Sequence, residues 1–533
     1  MQGPGTSGFA RSWIIVIATI LCGAILTDAA AAAESRIAGR QRVAPDYPQL
    51  AQRALDHGSI PIIVRFKVDP PDGRSRAERK EAGRRRLQAA MARSNMRSFA
   101  EFARSGLSAY AVNAVQLDAL LDSGLVESAR ASGLAKPHLP QSTALIATPA
   151  ARDYGLYGSG AAVAVLDTGI DAAHPTFSGR VAREACYSSN WSTYSATNLC
   201  PLGGADDFTQ YAQFGPGAAA LTKCVDVDCF HGTHVASIAA GSNTSYTGMA
   251  PQAEIIAIQV FSRFDDDAWC GAGMSPCVLS FEHDQLAALE YVATLSGTYN
   301  VASVNMSLGG GMFFAACDSS NLKPAVDALE LLDIVVVASS GNDSYTGAIG
   351  NPACISNVIS VGSVHDTSDT VSSFSNGATI LDILAPGDPI TAAYPAGLYA
   401  TAAGTSMAAP HVAGAIALMK AHDASLTWAQ HKSLLVNNGN PVLDTRNGLT
   451  FPRLNIGATA QALIGALAGD ANHDGALDTA DLLLVQRHIV GAATLGAAAL
   501  LRCDLYPPGD PDGTLDIPDL VSLERLLLGY PGP

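Results

Sequence analysis

The sequence predicts an α/β protein with a doubly wound parallel sheet, preceded by a small α+β segment and followed by a small helical module. Short apolar runs alternate with helical stretches from about residue 145 onward, and glycine or polar residues bound each run. Such runs, rich in β-branched residues, are typical of strands buried on both faces of a sheet. Beyond Ala468, two acidic loops are each followed by a leucine-rich helical stretch, which predicts the helical module.

The first 33 residues predict a secretory signal peptide. Arg11 precedes an apolar run from Trp13 to Leu26, and an alanine tract ends at Ala33. A basic start, an apolar centre and small residues before the cleavage point are the features of such signals. We therefore expect cleavage before Glu34 and a secreted, extracellular protein. A signal anchor is the alternative, but an apolar run of 14 residues is short for a membrane span.

Composition bounds the class of protein. The chain has 533 residues, 48% hydrophobic and 15% charged, so we expect several compact globular domains, no membrane span after signal removal, and a monomer. The formal net charge is −16, although residues 73–104 hold 10 of the 32 basic side chains against three acidic ones. This basic segment is alanine-rich and lacks interleaved aromatic residues, which favours a solvated helix face over a nucleic-acid site.

Residues 34–141 predict the small α+β segment. Residues 60–68 alternate like a strand, a basic helical stretch follows, and Ser105 to Ala129 reads as a strand and then a helix. The stretch from Lys136 to Thr143 contains two prolines and several polar residues, which is typical of a linker. We place the boundary of the main domain, residues 142–465, within it.

The main domain contains five predicted strands. They are Ala161–Leu166, Ile255–Val260, Val301–Met306, Ile334–Ala338 and Val358–Val361. In a doubly wound sheet the chemistry gathers at the carboxyl ends of the strands, so residues that directly follow these runs are candidates for the site.

Eight cysteines lie between Cys186 and Cys354. An even number in an exported chain predicts disulfides, although the sequence alone does not fix their connectivity. Proximity along the chain favours four local pairs: Cys186 with Cys200, Cys224 with Cys229, Cys270 with Cys277, and Cys317 with Cys354. A zinc site at Cys224 and Cys229 is the alternative, which their spacing and the lack of a second matching pair disfavour. Cys503 is left over.

Three short motifs predict nucleophilic acyl transfer. Asp167 follows an apolar strand in V-L-D-T-G-I-D, His231 opens an alanine-rich helix in H-G-T-H-V-A-S, and Ser406 precedes an apolar helix in G-T-S-M-A-A-P-H-V-A-G. A carboxylate can orient an imidazole that takes the proton of a hydroxyl, and a helix amino terminus favours developing negative charge. A capping Asp, a capping Ser and a metal site at His231 and His234 are the alternatives, but no Glu accompanies the histidines as in zinc helices.

With these motifs in the chain order Asp, His, Ser, residues 145–463 resemble the subtilisin-like (subtilase) serine peptidases. The resemblance implies that Asp167 orients His231, that His231 is the general base and that Ser406 is the nucleophile of an endopeptidase without a catalytic cofactor. Asn342, in V-V-A-S-S-G-N-D, matches the oxyanion-hole asparagine of the family. The chain has Ser237 where the family usually has glycine.

The same resemblance implies how the protein binds polypeptide substrates. Ser307, Leu308 and Gly309 match the backbone strand that pairs with substrate in subtilases. The residues that match a wall of the specificity pocket are Ala338, Ser339, Ser340 and Gly341. Main-chain pairing implies extended polypeptide substrates with broad specificity. Residues 34–141 resemble the inhibitory propeptide of the family, so we expect a self-processing zymogen whose own propeptide inhibits it, with autocleavage between Lys136 and Thr143.

Residues 466–533 carry oxygen ligands at the spacing of calcium loops. The first loop places Asp470, Asn472, Asp474, Asp478 and Asp481 at positions 1, 3, 5, 9 and 12, and the second places Asp510, Asp512, Asp516 and Asp519 at positions 3, 5, 9 and 12. Because Pro508 stands at position 1 of the second loop, either Asp504 reaches in from a longer loop or the site is weak.

One helix after each loop resembles a dockerin repeat, which implies a structural role for Ca²⁺ and a cohesin-like scaffold domain as a partner. A solvated acidic tail is the alternative. Membership of the subtilases would also be compatible with calcium in the catalytic domain, although no single loop there predicts it.

Two other functions compete with the peptidase. A binding protein with an inactive peptidase fold is one, but such proteins usually lack the nucleophile or the base, and both residue types are present here. An acid-acting sedolisin is the other, and it would have Glu in place of His231.

Overall fold

The computed structural model describes residues 35–68, 76–92, 96–102, 107–132, 134–137, 151, 155–224, 227, 229–243, 247–466, 468–472, 477–495, 499–500, 503–506, 514–528 and 530. The predicted signal peptide lies outside these residues. Within them, no helix is both long enough and apolar enough to cross a membrane. The chain forms two compact units, and the boundary between them in the sequence falls after Ser132.

Among its described residues, the first unit has a four-stranded antiparallel sheet, three helices named below and a further helical stretch at 35–43. Its strands are β1 (Ile60–Phe66), β2 (Ser98–Phe102), β3 (Leu107–Val112) and β4 (Val126–Ala131), in the order β2-β3-β1-β4. Its helices are α1 (Tyr47–His57), α2 (Arg76–Ala92) and α3 (Ala114–Asp122). Ile62 and Val64 of β1 share one buried core with Leu117 and Leu120 of α3. The predicted order of strand, basic helix, strand and helix is present, and the alternating residues of β1 explain its buried face.

The basic helix α2 presents a solvated face, as its composition predicts. Arg84 and Arg85 pair with Glu81 at 2.5 and 2.6 Å on the helix surface. These two guanidinium groups lower the pKa of Glu81 to about 2. Two basic side chains of this helix therefore have an acidic partner one turn away.

The second unit contains eighteen strands among its described residues. They are β5 (Leu134–Pro137), β6 (Ala162–Asp167), β7 (Val181–Asn190), β8 (Ala196–Asn198), β9 (Thr209–Phe214), β10 (Glu254–Gln259), β11 (Ser262–Phe264), β12 (Cys277–Phe281), β13 (Val301–Met306), β14 (Leu308–Phe313), β15 (Val335–Ser339), β16 (Ile349–Asn351), β17 (Ile359–His365), β18 (Ile383–Asp388), β19 (Ile390–Tyr394), β20 (Leu398–Ala402), β21 (Asn440–Asp444) and β22 (Leu449–Arg453).

The helices of the second unit cover the sheet and build the carboxyl-terminal module. Those described are α4 (Phe230–Ala240), α5 (Asp267–Cys270), α6 (Glu282–Leu295), α7 (Lys323–Glu330), α8 (Thr405–His422), α9 (Trp428–Asn437), α10 (Ile456–Ala466), α11 (Thr479–Ile489) and α12 (Ile517–Leu527), with a 3₁₀ turn at Ser192–Tyr194.

The main sheet has ten strands in the order β21-β22-β18-β17-β15-β13-β6-β10-β7-β9. The strands from β22 to β7 run parallel, and all five predicted strands begin within one residue of their predicted positions. The predicted all-parallel sheet is corrected at both edges, where β9 pairs antiparallel with β7 and β21 with β22. A strand that returns directly to its neighbour pairs antiparallel, because a parallel connection needs a long crossover.

Both faces of the main sheet are buried. Val163 and Val165 of β6 share one core with α4 and with Val412 and Ile416 of α8. The alternate residue Leu166 is also fully buried, and α6 and α7 pack on each other. Burial of each Val, Leu or Ile side chain contributes about 1.5–3 kcal/mol. The two-sided cover explains why these strands are continuous apolar runs.

A second sheet of six strands has the order β16-β14-β5-β12-β11-β8. Only Ser307 separates β13 of the main sheet from β14, so the chain passes directly from one sheet to the other. β5 lies in the middle and pairs antiparallel with both β12 and β14. The two sheets therefore meet beside the carboxyl end of β13.

The structure contains the four predicted local disulfides: Cys186–Cys200, Cys224–Cys229, Cys270–Cys277 and Cys317–Cys354. The zinc alternative for Cys224 and Cys229 is thereby replaced by a disulfide. Cys503 is buried in a small core of the carboxyl-terminal module, together with Ala471, Val485 and Leu523.

Three buried histidines make acid destabilising. Burial lowers the pKa of His234 and His283 to about 3, and it lowers that of His431 to about 4. A group with a lowered folded pKa stabilises the fold above its unfolded pKa, near 6.5, and that stabilisation is lost as the pH falls. For His431→Gln, we expect the free energy of unfolding to fall less steeply between pH 6 and 5 than in the wild type, by about 1.2 kcal/mol over this pH unit. Urea unfolding of both proteins at pH 6 and at pH 5 measures these free energies. An equal change with pH in the wild type and in the variant would contradict the prediction.

Candidate active site

A carboxylate and an imidazole form a buried pair at the carboxyl end of β6. Asp167 is the last residue of β6, and His231 is the second residue of α4. The Nδ1 atom of His231 lies 2.7 Å from Oδ1 of Asp167, and both side chains are buried. Oδ1 also accepts the backbone N–H of Thr168 at 2.7 Å. An imidazole so held presents its other nitrogen, Nε2, away from the carboxylate.

The approach of α4 to β6 requires a glycine after the histidine. A Cβ atom on Gly232 would lie 2.1 Å from the carbonyl oxygen of Gly169, so no larger residue fits. The N–H of Gly232 donates to Oγ1 of Thr168 at 3.0 Å, and that hydroxyl donates to the carbonyl of Cys229. These contacts fix the first turn of α4 against the end of β6.

Ser406 is the second residue of α8 and is fully buried. Its hydroxyl donates to the carbonyl oxygen of Ser307 at 3.2 Å, and the hydroxyl of Ser307 donates to the carbonyl of Ser406 at 2.8 Å. The Nε2 atom of His231 is buried and has no hydrogen-bond partner in the part of the chain that the structure describes. For Ser406 to give its proton to His231, its hydroxyl would have to turn away from Ser307; catalytic hydrogen bonds are often long or poorly aligned in the absence of substrate.

Asn342 presents an open amide next to the serine helix. Its Oδ1 accepts the backbone N–H and the hydroxyl of Thr405, both at 2.9 Å. This orients the amide so that Nδ2 is the free end, and Nδ2 is buried without a partner among the described residues. The N–H of Ser406 lies in the first turn of α8, where N–H groups have no partner within the helix. Together they provide two donors for an oxyanion.

The predicted substrate strand and pocket wall lie beside these groups. Ser307 links β13 to β14, and Leu308 and Gly309 are the first residues of β14. Ala338 and Ser339 end β15, the neighbour of β13 in the main sheet. Ser340 and Gly341 follow and lead to Asn342, and Gly341 has a φ of +112°, which favours glycine.

A strand of the chain already occupies the space between β14 and β12. The backbone of β5 pairs antiparallel with β14, with Pro137 opposite Leu308 and Lys136 opposite Gly309. On its other side it pairs with Ser280 and Phe281 of β12. Sequence reasoning missed β12 because this strand is only five residues long and lacks a motif. Its apolar Val278 and Leu279 are the signal that would have indicated a strand.

The second histidine of the motif has a structural place. Nε2 of His234 lies 3.2 Å from the carbonyl of Ala400, and burial keeps the imidazole neutral. Ser237, the residue that departs from the family pattern, donates to the carbonyl of His234 and accepts the N–H of Ala393 at 2.9 Å. The extra hydroxyl thus binds β19 and lies away from Asp167.

In the carboxyl-terminal module, the predicted ligands Asp474, Asp510 and Asp512 lie outside the described residues. Asp481 is fully buried, and its carboxylate accepts the N–H groups of Ala471, Asn472 and Asp478. Asp470 is also buried, whereas Asp478 caps α11. Within the described residues no group of three or more His, Cys, Asp or Glu side chains forms a metal site.

The second loop repeats the hydrogen bonds of the first. Oδ1 of Asp519 accepts the N–H groups of Leu505 and Tyr506, as Oδ1 of Asp481 accepts those of Ala471 and Asn472. The repeat therefore aligns Asp504 with Asp470, and both are buried. The second loop is longer than the first by four residues, as the numbering of the sequence shows.

A buried carboxylate–imidazole pair, a serine at a helix amino terminus and an oriented amide define the site of a serine hydrolase. The model of the Subtilase family (peptidase S8) matches residues 158–453, more than half of the chain. The chain belongs to this family and is a serine-type endopeptidase.

The chain is similar in sequence to named proteases. The alkaline protease of Alkalihalobacillus alcalophilus is 34% identical over 336 residues, which cover 63% of this chain and 73% of that protein. Subtilisin Savinase of Lederbergia lenta is 34% identical over 309 residues, covering 58% of this chain and 93% of Savinase. A solved structure of a cold adapted subtilisin-like serine proteinase is 27% identical, with a TM-score of 0.40, covering 60% of this chain and 94% of that one.

Removal of the Asn342 amide tests the oxyanion site. For Asn342→Ala we expect kcat to fall about 10²–10³-fold with little change in KM, because the donor acts on charge that develops only in the transition state; this is the loss known for one such donor in subtilisin, a relative of this chain. Steady-state kinetics on a peptide anilide measure it. Asn437→Ala, on the surface of α9, is the matched control. A fall in kcat below tenfold would contradict the assignment.

Proposed function

We propose that this protein is a secreted serine endopeptidase that hydrolyses extended polypeptides through an acyl-enzyme at Ser406. One observation carries the proposal: the open Nε2 of His231 and the open Nδ2 of Asn342 are both buried near the helix that presents Ser406. Buried polar atoms without partners are rare and costly. A substrate carbonyl at Ser406 would supply the missing partner of Asn342.

The first half of the reaction forms the acyl-enzyme. Oγ of Ser406 attacks the peptide carbonyl carbon while Nε2 of His231 takes the hydroxyl proton, and Asp167 stabilises the imidazolium that results. The carbonyl oxygen becomes an oxyanion that accepts hydrogen bonds from Nδ2 of Asn342 and from the N–H of Ser406. Collapse of this intermediate breaks the C–N bond, and His231 gives its proton to the leaving amine.

The second half returns the free enzyme. Water attacks the ester carbonyl while His231 takes one of its protons, and the same donors hold the second oxyanion. When the bond to Oγ breaks, His231 returns the proton to Ser406 and the carboxylic acid product leaves. All of these groups belong to the chain, and the steps need no cofactor.

Backbone pairing supports extended polypeptides as substrates. The space between β12 and β14 accepts a strand through main-chain hydrogen bonds, as β5 demonstrates. Pairing of this kind places little demand on side chains, which supports broad specificity. Ala338, Ser339 and Ser340 would then form a wall of the specificity pocket and contact the substrate side chain before the scissile bond.

The position of β5 supports a self-processing zymogen. The first unit ends at Ser132, and the chain continues into β5, which fills the space that a substrate would need. We propose that residues 34–141 are the inhibitory propeptide, that 142–465 are the catalytic domain, and that residues 1–33 are a signal peptide removed on export. The propeptide would inhibit by occupying the cleft until it is cut.

The register of β5 supports a particular bond for self-cleavage. Lys136 lies opposite Gly309 and Pro137 opposite Leu308. If this antiparallel register continued by one residue, residue 138, which lies outside the described residues, would face Ser307. The carbonyl of Ser307 is the acceptor of the Ser406 hydroxyl. We therefore infer cleavage between His138 and Leu139, three residues before the boundary predicted from the sequence.

Intact-mass analysis of the secreted wild type beside Ser406→Ala tests both inferences. We expect the mature wild type to begin at Leu139, and Ser406→Ala to keep the segment from Glu34 onward, because without Oγ no acyl-enzyme forms. Asp343→Asn, next to the proposed oxyanion residue, is a control that should process normally. Processing in Ser406→Ala would refute self-cleavage through this serine, and a different first residue would refute the register.

We also propose that the module at residues 466–533 binds Ca²⁺ for structure and docks onto a cohesin-like domain. The carboxylates of Asp470, Asp481 and Asp519 are hard oxygen donors of the kind that Ca²⁺ selects, so this donor set fits the ion. The repeated hydrogen bonds support Asp504 as the first residue of the second loop. Bound calcium would add positive charge beside these carboxylates.

Calorimetric titration of Ca²⁺ into the mature protein tests the module. We expect two sites in the module, and the loss of one of them in Asp481→Asn and in Asp504→Asn, because each variant removes an anionic ligand from one loop. Glu524→Gln, an exposed carboxylate of α12, is the control. Full calcium binding in Asp504→Asn would show that this residue is no ligand.

A further inference from the structure

A fully buried polar cluster lies directly behind the substrate strand β12. Helix α6 begins immediately after β12, and its third residue, Asp284, is completely buried. Oδ1 of Asp284 accepts the hydroxyl of Ser189 on β7 at 3.0 Å and the amide of Gln210 on β9 at 2.8 Å. Oδ2 is buried and has no hydrogen-bond partner among the described residues. The mechanism makes no use of this carboxyl group.

Among the residues that the structure describes, no charged cation lies beside Asp284. The nearby imidazole of His283 lies 3.8 Å from Oδ1, and burial lowers its pKa to about 3, so it is neutral near pH 7. The other titratable side chains on the elements that pack against α6 are engaged elsewhere: Arg183 with Tyr291, Glu184 with the N–H groups of Gly217 and Ala219, Tyr187 with the rings of Phe214 and Tyr291, Asp167 with His231, Lys323 with Asp327, Glu330 with Asn357, Tyr211 with the N–H of Asp206, and Cys186 and Cys277 in disulfides.

Two effects oppose each other at this carboxyl group. The amino terminus of α6 favours the ionised form, because the helix dipole is positive there. Complete burial favours the neutral form, and it prevails: burial raises the pKa of Asp284 to about 7, against the hydrogen bonds of Gln210 and Ser189, which lower it. The proton is therefore released close to neutral pH.

The start of α6 is mechanically joined to the substrate strand. The ring of Phe281, the last residue of β12, stacks on His283 with ring centroids 5.1 Å apart. Nε2 of Gln285 donates to the carbonyl of Ser280 at 3.4 Å. Ser280 and Phe281 are the two residues of β12 that pair with β5. A shift of the first turn of α6 therefore moves the wall of the cleft.

We propose that Asp284 is a positioning residue that makes the binding of extended substrates to β12 dependent on pH. When it is protonated, the start of α6 packs against β7 and β9 and holds β12 in place. When it is ionised, the uncompensated charge draws in water and loosens this packing, and the pairing of β12 with substrate weakens. The proposal rests on the proposed function, because β12 must be a substrate strand.

The test compares two substrates over a range of pH. One is a peptide with at least four residues before the scissile bond, which reaches β12, and the other is a short acyl ester that does not. For the wild type we expect kcat/KM of the peptide, divided by kcat/KM of the ester, to fall about threefold from pH 6 to pH 9. The fall should come from a higher KM for the peptide. Asp284→Asn is neutral at every pH, so its ratio should stay constant. Glu290→Gln, on the same helix, should behave as the wild type does.

A second variant keeps the test independent of whether Asp284→Asn folds. Ser189→Ala removes a donor that favours the ionised carboxylate, so the midpoint of the wild-type change should move to higher pH. A merely structural role would alter stability without moving this midpoint. An unchanged midpoint in Ser189→Ala, or a wild-type profile in Asp284→Asn, would overturn the proposal. Failure of the proposed function looks different, because the wild type would then cleave neither substrate, and it would overturn this proposal as well.

Discussion

The 2.7 Å contact between Asp167 and His231 depends on two segments of backbone meeting without side chains between them. Gly232 permits that meeting, since a Cβ atom there would overlap the carbonyl of Gly169. A buried carboxylate that lost its imidazole would be an unpaired charge in the interior, which costs several kcal/mol. The rest of the active site is arranged around this pair, because the direction of Nε2 decides where a nucleophile can be activated.

The main sheet supplies the rigidity that such an arrangement needs. β6 lies between β13 and β10, so the end that carries Asp167 is flanked by the strands that lead to Ser307 and to the β11–β12 wall. Helix α8 packs across several of these strands and brings Ser406 to the same edge. A single layer of buried strands thereby fixes the carboxylate, the serine and one side of the substrate cleft.

Part of the fold and of the candidate site could be predicted from the sequence and part could not, for physical reasons. Strands such as Val301–Met306 are largely apolar runs, and such runs predict burial on both faces of a sheet. β7 was missed because its second half, with Ser188, Ser189 and Asn190, buries polar side chains through hydrogen bonds instead. The family resemblance implied a propeptide segment in the cleft, but the register of β5 and its pairing with β12 could not be predicted, since pairing over a long sequence separation depends on backbone alone. The same applies to Asp284, whose burial is a tertiary property.

We propose that Ser406 is the nucleophile and that His231 activates it. Peptide mapping by mass spectrometry after treatment with a fluorophosphonate tests this assignment, because only an activated serine reacts with this reagent at an appreciable rate. We expect one adduct per mature molecule, on the peptide that contains Ser406, and none in His231→Ala. An adduct on another serine, or an unlabelled wild type that still digests casein, would contradict it.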